Sequence, residues 1–192
     1  MTDQEKETTG RRESPSALAR AFIHELRRAT TGELATLKRA AGSELAASTG
    51  AMTTFYAILA RAKIWEPYKE PMLFLAGTLF PLNPIKGHGN LGTTMRRIAL
   101  SDNPDRRIPD NIRRRFSILI DSRAKTGELA FRLRQCVRLA ASKQVGIDWA
   151  LLVDDLLAWH YDSRPVQRAW ARSFFFSTKT RLPEHGEADE EH

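Results

Sequence analysis

The chain has 192 residues, of which 42% are hydrophobic, and its 30 lysines and arginines outnumber 23 aspartates and glutamates to give a formal net charge of +7. This length fits one ordinary domain or two small helical lobes that share a core, and the apolar content argues against wholesale disorder. The single cysteine, Cys136, excludes a disulfide framework and a cysteine-rich zinc site. Because no apolar run reaches the roughly 18 residues of a membrane span and the first residues lack the apolar core of a secretory signal, we expect a cytoplasmic protein with a polyanionic partner and no membrane contact.

The N-terminal part of the chain shows two helix starts after a polar stretch at residues 1–13, which we expect to be a flexible tail. Ser14 followed by Pro15 predicts an N-cap and the first position of a helix, where proline is well tolerated. Thr30 and Glu33 have the spacing of a capping box and predict the start of a second helix.

The middle of the chain predicts two more helices, a loop and a further helix. The first of these helices has an apolar face at Phe55, Ile58 and Leu59. Pro71 opens the segment MLFLAGTLF, whose apolar residues on every side predict a short helix buried in the core. Residues 81–92, PLNPIKGHGNLG, form the one substantial internal loop, and a helix is expected from Thr93 to Leu100.

The C-terminal part predicts four helices after a second break at residues 101–109. A helix from Gly127 to about Ala141 is expected, and Asp148 and Ser163 are expected to cap the two that follow. The inward residues of the four helices are Ile112, Phe116 and Leu119; Leu129, Leu133, Cys136 and Ala140; Trp149, Leu152, Val153, Leu156 and Leu157; and Val166, Ala169, Trp170 and Phe174.

These elements predict an all-α fold, because no segment shows sustained period-two alternation. We expect a compact bundle of about eight to nine helices, with no sheet beyond a stray bridge. It is interpreted as one helical domain over residues 14–182, or as two small lobes over about 14–100 and 108–182. Residues 183–192 form an acidic C-terminal tail.

The side chains that could carry catalysis do not assemble into a recognisable site. No two histidines have metal-ligand spacing on one helix, and only His88, in the glycine-rich loop, merits examination. Asp154 and Asp155 are helix neighbours about 100° apart, so they do not share one acid–base site. The loop sequence GHGNLG lacks the Gly-Lys-Ser/Thr ending of a phosphate loop. Cys136 lies on an apolar stripe and is read as a small core residue. We predict no cofactor and no metal.

The basic residues are more informative about function. Residues 16–182 hold 27 lysines and arginines against 14 acidic residues, and 20 of the 27 are arginines. Arginine grips phosphate oxygens with two parallel hydrogen bonds, whereas lysine offers a point charge. Separate solvated helix faces would account for many single arginines, but the size of the excess favours a phosphate-rich partner. Charge alone does not distinguish DNA from RNA, or single from double strands.

Helical spacing groups several of these arginines. Arg134 and Arg138 lie four residues apart, opposite the apolar stripe of their helix, so both guanidinium groups should meet solvent or a ligand. Arg164, Arg168 and Arg172 repeat this spacing and predict a stripe of three arginines on the last helix. Arg113, Arg114 and Arg115 go round their helix, so only one or two can join a given patch.

Several segments of the chain resemble the CasB family, the small subunit of the type I-E CRISPR surveillance complex Cascade. The most specific are LRQCVRL (133–139), IDW (147–149), LLVDDLLAW (151–159) and VQRAWARSFF (166–175). RRRFSILIDSR (113–123) is similar to the segment just upstream. The N-terminal similarities are ELATLKRA (33–40), FYAILARAKIW (55–65) and NLGTTMRRIAL (90–100). The likeness extends over most of residues 16–176.

The resemblance implies an all-helical, non-enzymatic subunit. Two copies lie along the complex, contact its backbone and large subunits, help to hold the hybrid of crRNA and target DNA, and stabilise the displaced, non-target strand of the R-loop. The basic residues that match by position are Lys38, Arg39, Lys69, Arg96, Arg115, Arg123, Arg134, Arg138 and Arg168, with Arg97, Arg114 and Arg132 as alternates. The predicted nucleic-acid-binding set consists of the nine matching residues, the alternates Arg97 and Arg132, and the two further arginines of the stripe on the last helix, Arg164 and Arg172. Trp149 and Trp159 are implied to be structural.

Two other classes of function compete with this interpretation. A basic helical DNA-binding transcription regulator would use a helix-turn-helix, but no helix pair here has a short glycine-containing turn followed by a polar recognition helix. An uncharacterised enzyme would need a catalytic constellation that the sequence does not display.

Overall fold

The computed structural model describes residues 14–101, 107–123 and 127–176, and within these ranges the chain forms nine α-helices. They are α1 (Ala17–Arg28), α2 (Thr31–Arg39), α3 (Thr49–Ala62), α4 (Glu70–Leu79), α5 (Leu91–Leu100), α6 (Asp110–Asp121), α7 (Glu128–Ser142), α8 (Trp149–Leu157) and α9 (Pro165–Phe175). Short 3-10 turns occupy Leu45–Ala47, Pro67–Lys69 and Phe80–Leu82. The only β pairing in the described ranges is an isolated parallel bridge between Lys86 and Ile147. The all-α prediction is confirmed. The two predicted tails lie outside the described residues.

Three helix starts follow from polar side chains at the N-cap. The capping box at α2 is present: Glu33 N donates to Thr30 Oγ1 at 3.2 Å, and Thr30 N donates to Glu33 Oε2 at 2.7 Å. This second bond, to the Thr30 backbone, lowers the pKa of Glu33 below its ordinary value. Asp148 caps α8 as predicted. Asn90 caps α5, which therefore begins at Leu91 and not at Thr93.

Two predicted N-caps are wrong. The N-cap of α1 is Ser16 and not Ser14, because the Ser16 hydroxyl accepts from Ala19 N at 3.1 Å and is itself held by α8. The N-cap position of α9 is Arg164, which adopts a left-handed conformation and places Pro165 at the first helical position. Ser163 is therefore one residue too early to cap the helix. Within α9, Ala169 is exposed and not inward as expected.

One part of the core forms around α4, whose residues Leu73–Leu79 are all buried. Phe74 meets Phe55 of α3 edge to face, with ring centroids 5.3 Å apart, and Phe55 meets Phe22 of α1 in the same way at 6.2 Å. α8 packs against both α1 and α4. The burial of α4 on all sides is as the sequence predicts. No helix of the described residues is long and apolar enough to cross a bilayer.

A buried carboxylate fastens α1 to α8. Asp154 of α8 is 3% exposed and accepts two hydrogen bonds of 2.6 Å from Ser16, one from its backbone N–H and one from its hydroxyl. The neighbouring Asp155 turns elsewhere and accepts from Trp170 Nε1 at 2.6 Å. The two aspartates therefore do not form a shared acid–base pair, as expected from their positions on the helix.

The other part of the core places α5 against α9 and sets α6 and α7 beside them. The packing crosses the boundary between the two lobes drawn from sequence, because α5 joins the C-terminal helices while α8 joins the N-terminal ones. The 81–92 loop links the two parts: Gly87 N donates to Ile147 O at 3.0 Å, and Trp149 Nε1 donates to Asn83 O at 2.8 Å. This loop is thus fixed against the α7–α8 connection.

Gly92 allows the close approach of α5 and α9, and its substitution provides the first test. A Cβ atom at Gly92 would lie 2.1 Å from the backbone oxygen of Trp170. We expect Gly92→Ala to lower the free energy of unfolding by about 1–3 kcal/mol, because the two backbones must separate. Urea unfolding measures this change. The matched control is Gly32→Ala in α2, where the added Cβ meets nothing closer than 4.0 Å. Equal stability of the two variants would contradict the packing argument.

Removal of the Asp154 carboxylate tests the attachment of α1 to α8. We expect Asp154→Ala to lower the free energy of unfolding by about 2 kcal/mol, since two charge-assisted hydrogen bonds are lost. Asp110→Ala is the control, because the side chain of Asp110 is 95% exposed. Thermal unfolding followed by circular dichroism measures both. A melting temperature unchanged in the Asp154 variant would show that Ser16 is not held by this carboxylate.

Candidate nucleic-acid interface

Arginines from two neighbouring helices converge on one cleft between α6 and α7. The cleft has a volume of about 290 Å³ and is lined by Asn111, Arg114, Arg115, Ile118, Arg132 and Gln135. Arg114 and Arg115 are exposed on α6, whereas Arg132 of α7 is half-buried. The cleft thus contains three guanidinium groups and two side-chain amides, and each of these five groups can donate hydrogen bonds.

The core beneath this cleft orients its helices. Phe116 and Leu119 of α6, and Leu133 and Cys136 of α7, are fully buried. Arg115 and Arg132 directly precede Phe116 and Leu133 and are about 100° round their helices from them, so both arginines lie beside the buried faces, where they line the cleft.

The electrostatics of the cleft favour an anion. Two carboxylates lie nearby: Glu128 Oε1 is 3.9 Å from Arg132 Nε, and Asp110 Oδ1 is 3.7 Å from Arg113 Nη1. Arg132 Nε is buried and has no hydrogen-bond partner among the described residues. Arg132 and the two exposed arginines beside it can together bind phosphate oxygens through charge-assisted hydrogen bonds.

A second cleft continues the basic surface along the same two helices. It has a volume of about 310 Å³ and is lined by Ile98, Ala99, Pro109, Asn111, Ile112, Arg115, Leu139 and Lys143. Arg115 and Asn111 belong to both clefts. Five of its eight lining residues are apolar, and its two basic residues, Arg115 and Lys143, are exposed. We call the two clefts and their arginines the α6–α7 surface.

Arg134 and Arg138 differ in their surroundings. Arg138 is exposed, as predicted, but Arg134 is half-buried: its Cδ would be 3.3 Å from a Cβ atom at Gly42, and its Nε is buried with no hydrogen-bond partner in the described part of the chain. Both guanidinium groups were expected to meet solvent or a ligand; Arg138 has the expected exposure, whereas Arg134 is partly covered by the protein. Its side chain lies against Gly42, which follows α2, and the last two residues of α2, Lys38 and Arg39, are exposed.

The predicted stripe on α9 consists of two arginines and not three. Arg168 and Arg172 are exposed on the helix. Arg164 precedes the helix in a left-handed conformation, donates to the carbonyl of Ile120 and lies 3.7 Å from an oxygen of Asp121. It therefore connects α9 to the end of α6. Helical spacing misassigned it because the helix begins one residue later.

Arg96 and Arg97 also have partners within the protein. Arg96 Nη1 donates to the carbonyl oxygens of Phe174 and Phe175 at 2.8 and 3.2 Å. It thus supplies a hydrogen-bond donor to the carbonyl groups that the C-terminal end of α9 leaves unpaired. Arg97 Nη2 donates to His88 O at 2.9 Å, and burial lowers the pKa of Arg97. Both were predicted to contact nucleic acid. That remains a prediction, and the structure shows that both fasten α5 within the protein, Arg96 to α9 and Arg97 to the 81–92 loop.

The remaining predicted residues lie at two other places. Lys69 Nζ is 2.6 Å from Glu66 Oε2 at the turn between α3 and α4, and this hydrogen bond raises the pKa of Lys69. Arg123 is exposed just beyond the end of α6. The predicted set is therefore spread over the α6–α7 surface, the Arg134 corner, α9 and the α3–α4 turn.

Sequence reasoning missed two members of the cleft and could not choose among the arginines of α6. Asn111 and Gln135 line the cleft, but neither carries a charge or a motif that marks it. Arg114 was only an alternate, because three consecutive arginines go round the helix. The sequence signal that could have identified the α6 residues of the cleft is helical spacing, which places Asn111, Arg114, Arg115 and Ile118 on one face of that helix.

No metal-binding cluster of three or more histidine, cysteine, aspartate or glutamate side chains occurs among the residues that the structure describes. Cys136 is buried, and burial raises the pKa of its thiol to about 12, so it carries no thiolate at neutral pH. This agrees with the interpretation of Cys136 as a core residue.

Comparison with known proteins gives consistent matches. A family model described as CRISPR-associated protein Cse2 matches residues 33–175. The protein of that name from Thermus thermophilus is 34% identical over 111 residues, which are 58% of this chain and 60% of the relative's own length. The crystal structure of M. ruber CasB aligns with a TM-score of 0.70 at 27% identity, over 84% of this chain and 94% of that one. A chain of a CRISPR RNA-guided surveillance complex shares the fold, with a TM-score of 0.67 at 20% identity over 83% and 93%.

Arg96 and Arg138 have different surroundings, so the stability of their alanine variants tests which arginines hold the fold. We expect Arg96→Ala to lower the melting temperature, because two carbonyl groups at the end of α9 lose their donor. Arg138→Ala is the matched control, since an exposed substitution usually changes stability by less than about 0.5 kcal/mol. A melting temperature lowered equally by both substitutions would contradict this assignment.

Proposed function

The chain belongs to the CRISPR-associated Cse2 family, whose solved members include CasB, and from this premise we propose that it is a non-catalytic, nucleic-acid-binding small subunit of a type I-E Cascade complex. Family membership confirms the resemblance found in the sequence. In the proposed role the chain stabilises the hybrid of crRNA and target DNA and the displaced strand of the R-loop. Its partners are the backbone and large subunits, a second copy of itself, and the crRNA and DNA strands.

The observation that carries the proposal is the convergence of Arg114, Arg115 and Arg132 on one cleft. Like charges held together on a surface repel one another, and this repulsion is relieved when a polyanion binds. A nucleic-acid backbone supplies closely spaced phosphates and needs no sequence match. The cleft therefore fits a strand that must be held whatever its sequence.

The strand is proposed to continue from the cleft along exposed arginines. Arg138 lies on α7 one turn beyond Gln135, and Arg123 lies beyond the end of α6. We retain as proposed contacts Lys38, Arg39, Arg115, Arg123, Arg132, Arg134, Arg138, Arg168 and Arg172, and we add Arg114. Arg96, Arg97, Arg164 and Lys69 are assigned to internal contacts that hold the fold.

The proposal gives this chain no reaction of its own. Arginine stays protonated at all physiological pH values, so the α6–α7 surface neutralises phosphate charge but does not accept a proton from water. Support for membership in Cascade comes from the family and from the fold shared with a chain of a CRISPR RNA-guided surveillance complex.

Salt dependence of binding tests the α6–α7 surface. We expect the purified wild-type chain to bind single-stranded DNA without sequence preference. For Arg114→Ala/Arg115→Ala, the slope of log K against log salt should become less steep by about 1.4, because each lost phosphate contact removes about 0.7 for a single strand. Fluorescence anisotropy with a labelled oligonucleotide at a series of salt concentrations measures the slope.

The control for this experiment removes the same charge elsewhere. Arg28 and Lys63 are exposed on α1 and after α3, so Arg28→Ala/Lys63→Ala should leave the slope near the wild-type value. Equal slopes for the two double variants would show that net charge, and not the α6–α7 surface, governs binding.

A reconstituted Cascade complex tests the assembly role. We expect the Arg114→Ala/Arg115→Ala chain to enter the complex with the other subunits but to shorten the lifetime of the R-loop. A complex whose R-loop lifetime is the same with the variant and with the wild-type chain would contradict the proposed role.

A further inference from the structure

We propose that the α6–α7 surface includes a base-stacking position at Phe131, so that one nucleotide of a single strand is held by its phosphate in the cleft and by its base on this ring. The inference rests on the proposed function, because it assigns the class of ligand that the same surface binds. It identifies the ligand as unpaired nucleic acid, in contrast to a duplex.

Phe131 is a large aromatic side chain that the core does not use. It lies on α7 and is 53% exposed, while the apolar residues of the same helix, such as Leu133 and Val137, are fully buried. The guanidinium carbon of Arg132 lies 5.3 Å from the ring centroid, a cation–π distance. One side of the ring is thus covered by a cation that also lines the cleft, and the exposed part remains open to a second planar group.

The position of the ring relative to the cleft fits a single nucleotide. Phe131 is adjacent to Arg132 and one helical turn from Gln135, and both of these residues line the cleft. Base–aromatic stacking is independent of sequence because every base has a π face. In a duplex these faces are covered by neighbouring bases, so stacking on Phe131 requires an unpaired base.

The charges around the ring favour a nucleotide over an apolar partner. Arg132 contacts the ring and lines the adjacent cleft together with Arg114 and Arg115. Glu128 is the carboxylate that comes within 4 Å of one of these arginines in the described part of the chain, 3.9 Å from Arg132. The exposed aromatics at the α3–α4 turn differ in this respect. There the Tyr68 hydroxyl donates to Glu66, and Glu70 accepts from the Tyr56 hydroxyl. Two carboxylates at that turn oppose a phosphate, so the inference concerns Phe131 alone.

Strands with and without bases separate stacking from charge. The probes are a labelled oligothymidylate and an abasic oligomer of the same length, which has the same phosphates and sugars but no bases. We expect Phe131→Ala to weaken binding of the oligothymidylate by at least about fivefold and to leave binding of the abasic strand unchanged. Phe131→Leu should behave like Phe131→Ala, and Phe131→Trp should retain wild-type affinity. Trp65→Ala is the control for loss of an exposed aromatic.

The outcomes distinguish this inference from the proposed function. The stacking position is overturned if Phe131→Ala weakens binding of both strands, or if it weakens binding of neither. In both cases the salt slopes of the arginine variants still decide the proposed function. Full affinity of Phe131→Leu also overturns the stacking position, since leucine preserves apolar area but offers no ring. Failure of the wild-type chain to bind either strand overturns both.

Discussion

The close contact of α5 with α9 is the constraint on which the position of the basic surface depends. Gly92 lies against the carbonyl of Trp170, where no side chain fits. On α9, Phe174 stacks on Phe116 of α6 with ring centroids 4.1 Å apart. α7 in turn packs against α5 and α6. The cleft that collects the arginines is therefore built on a helix contact outside the cleft, and its shape depends on a glycine in the neighbouring helix pair.

Arginines in the described part of the chain differ in what surrounds them, and two kinds of surroundings bear on the proposed function. Arg96 and Arg164 meet backbone carbonyl groups that a helix end leaves without donors, and they supply those donors. Arg114, Arg115 and Arg138 lie on helix faces where neighbouring turns already satisfy the backbone. Their guanidinium groups remain available to solvent or to phosphate. The same residue type therefore stabilises the fold at one place and carries the proposed binding at another.

In the free protein the proposed surface has two unfavourable features, repulsion between guanidinium groups and a buried donor without an acceptor, and a bound anion would relieve the repulsion. Three guanidinium groups share one cleft, and the buried Nε atom of Arg132, which lines this cleft, has no hydrogen-bond partner among the described residues. A buried donor without an acceptor costs free energy of the order of 1–3 kcal/mol. A phosphate oxygen would provide the negative charge. The unfavourable features of the free protein are thus concentrated where the proposed ligand binds.

The sequence by itself determined the elements whose cause is local. The capping box of Thr30 and Glu33, the cap at Asp148 and the full burial of α4 depend on residues within a few positions of one another, and each is found where it was predicted. The family was also recognisable from sequence, because its motifs are contiguous. The helix start at Pro165 was misplaced by one residue, since a left-handed arginine is held there by the distant end of α6.

Only the tertiary structure decided which basic residues share a site. Spacing along one helix says which side chains are neighbours on that helix, but it carries no information about the helix that packs beside it. Arg132 joins Arg114 and Arg115 because α6 and α7 lie side by side, and Arg96 is withdrawn from the surface because the end of α9 lies next to it. Long side chains bind whatever acceptor the packing brings within reach. The role of each arginine is therefore set by contacts between segments far apart in the chain.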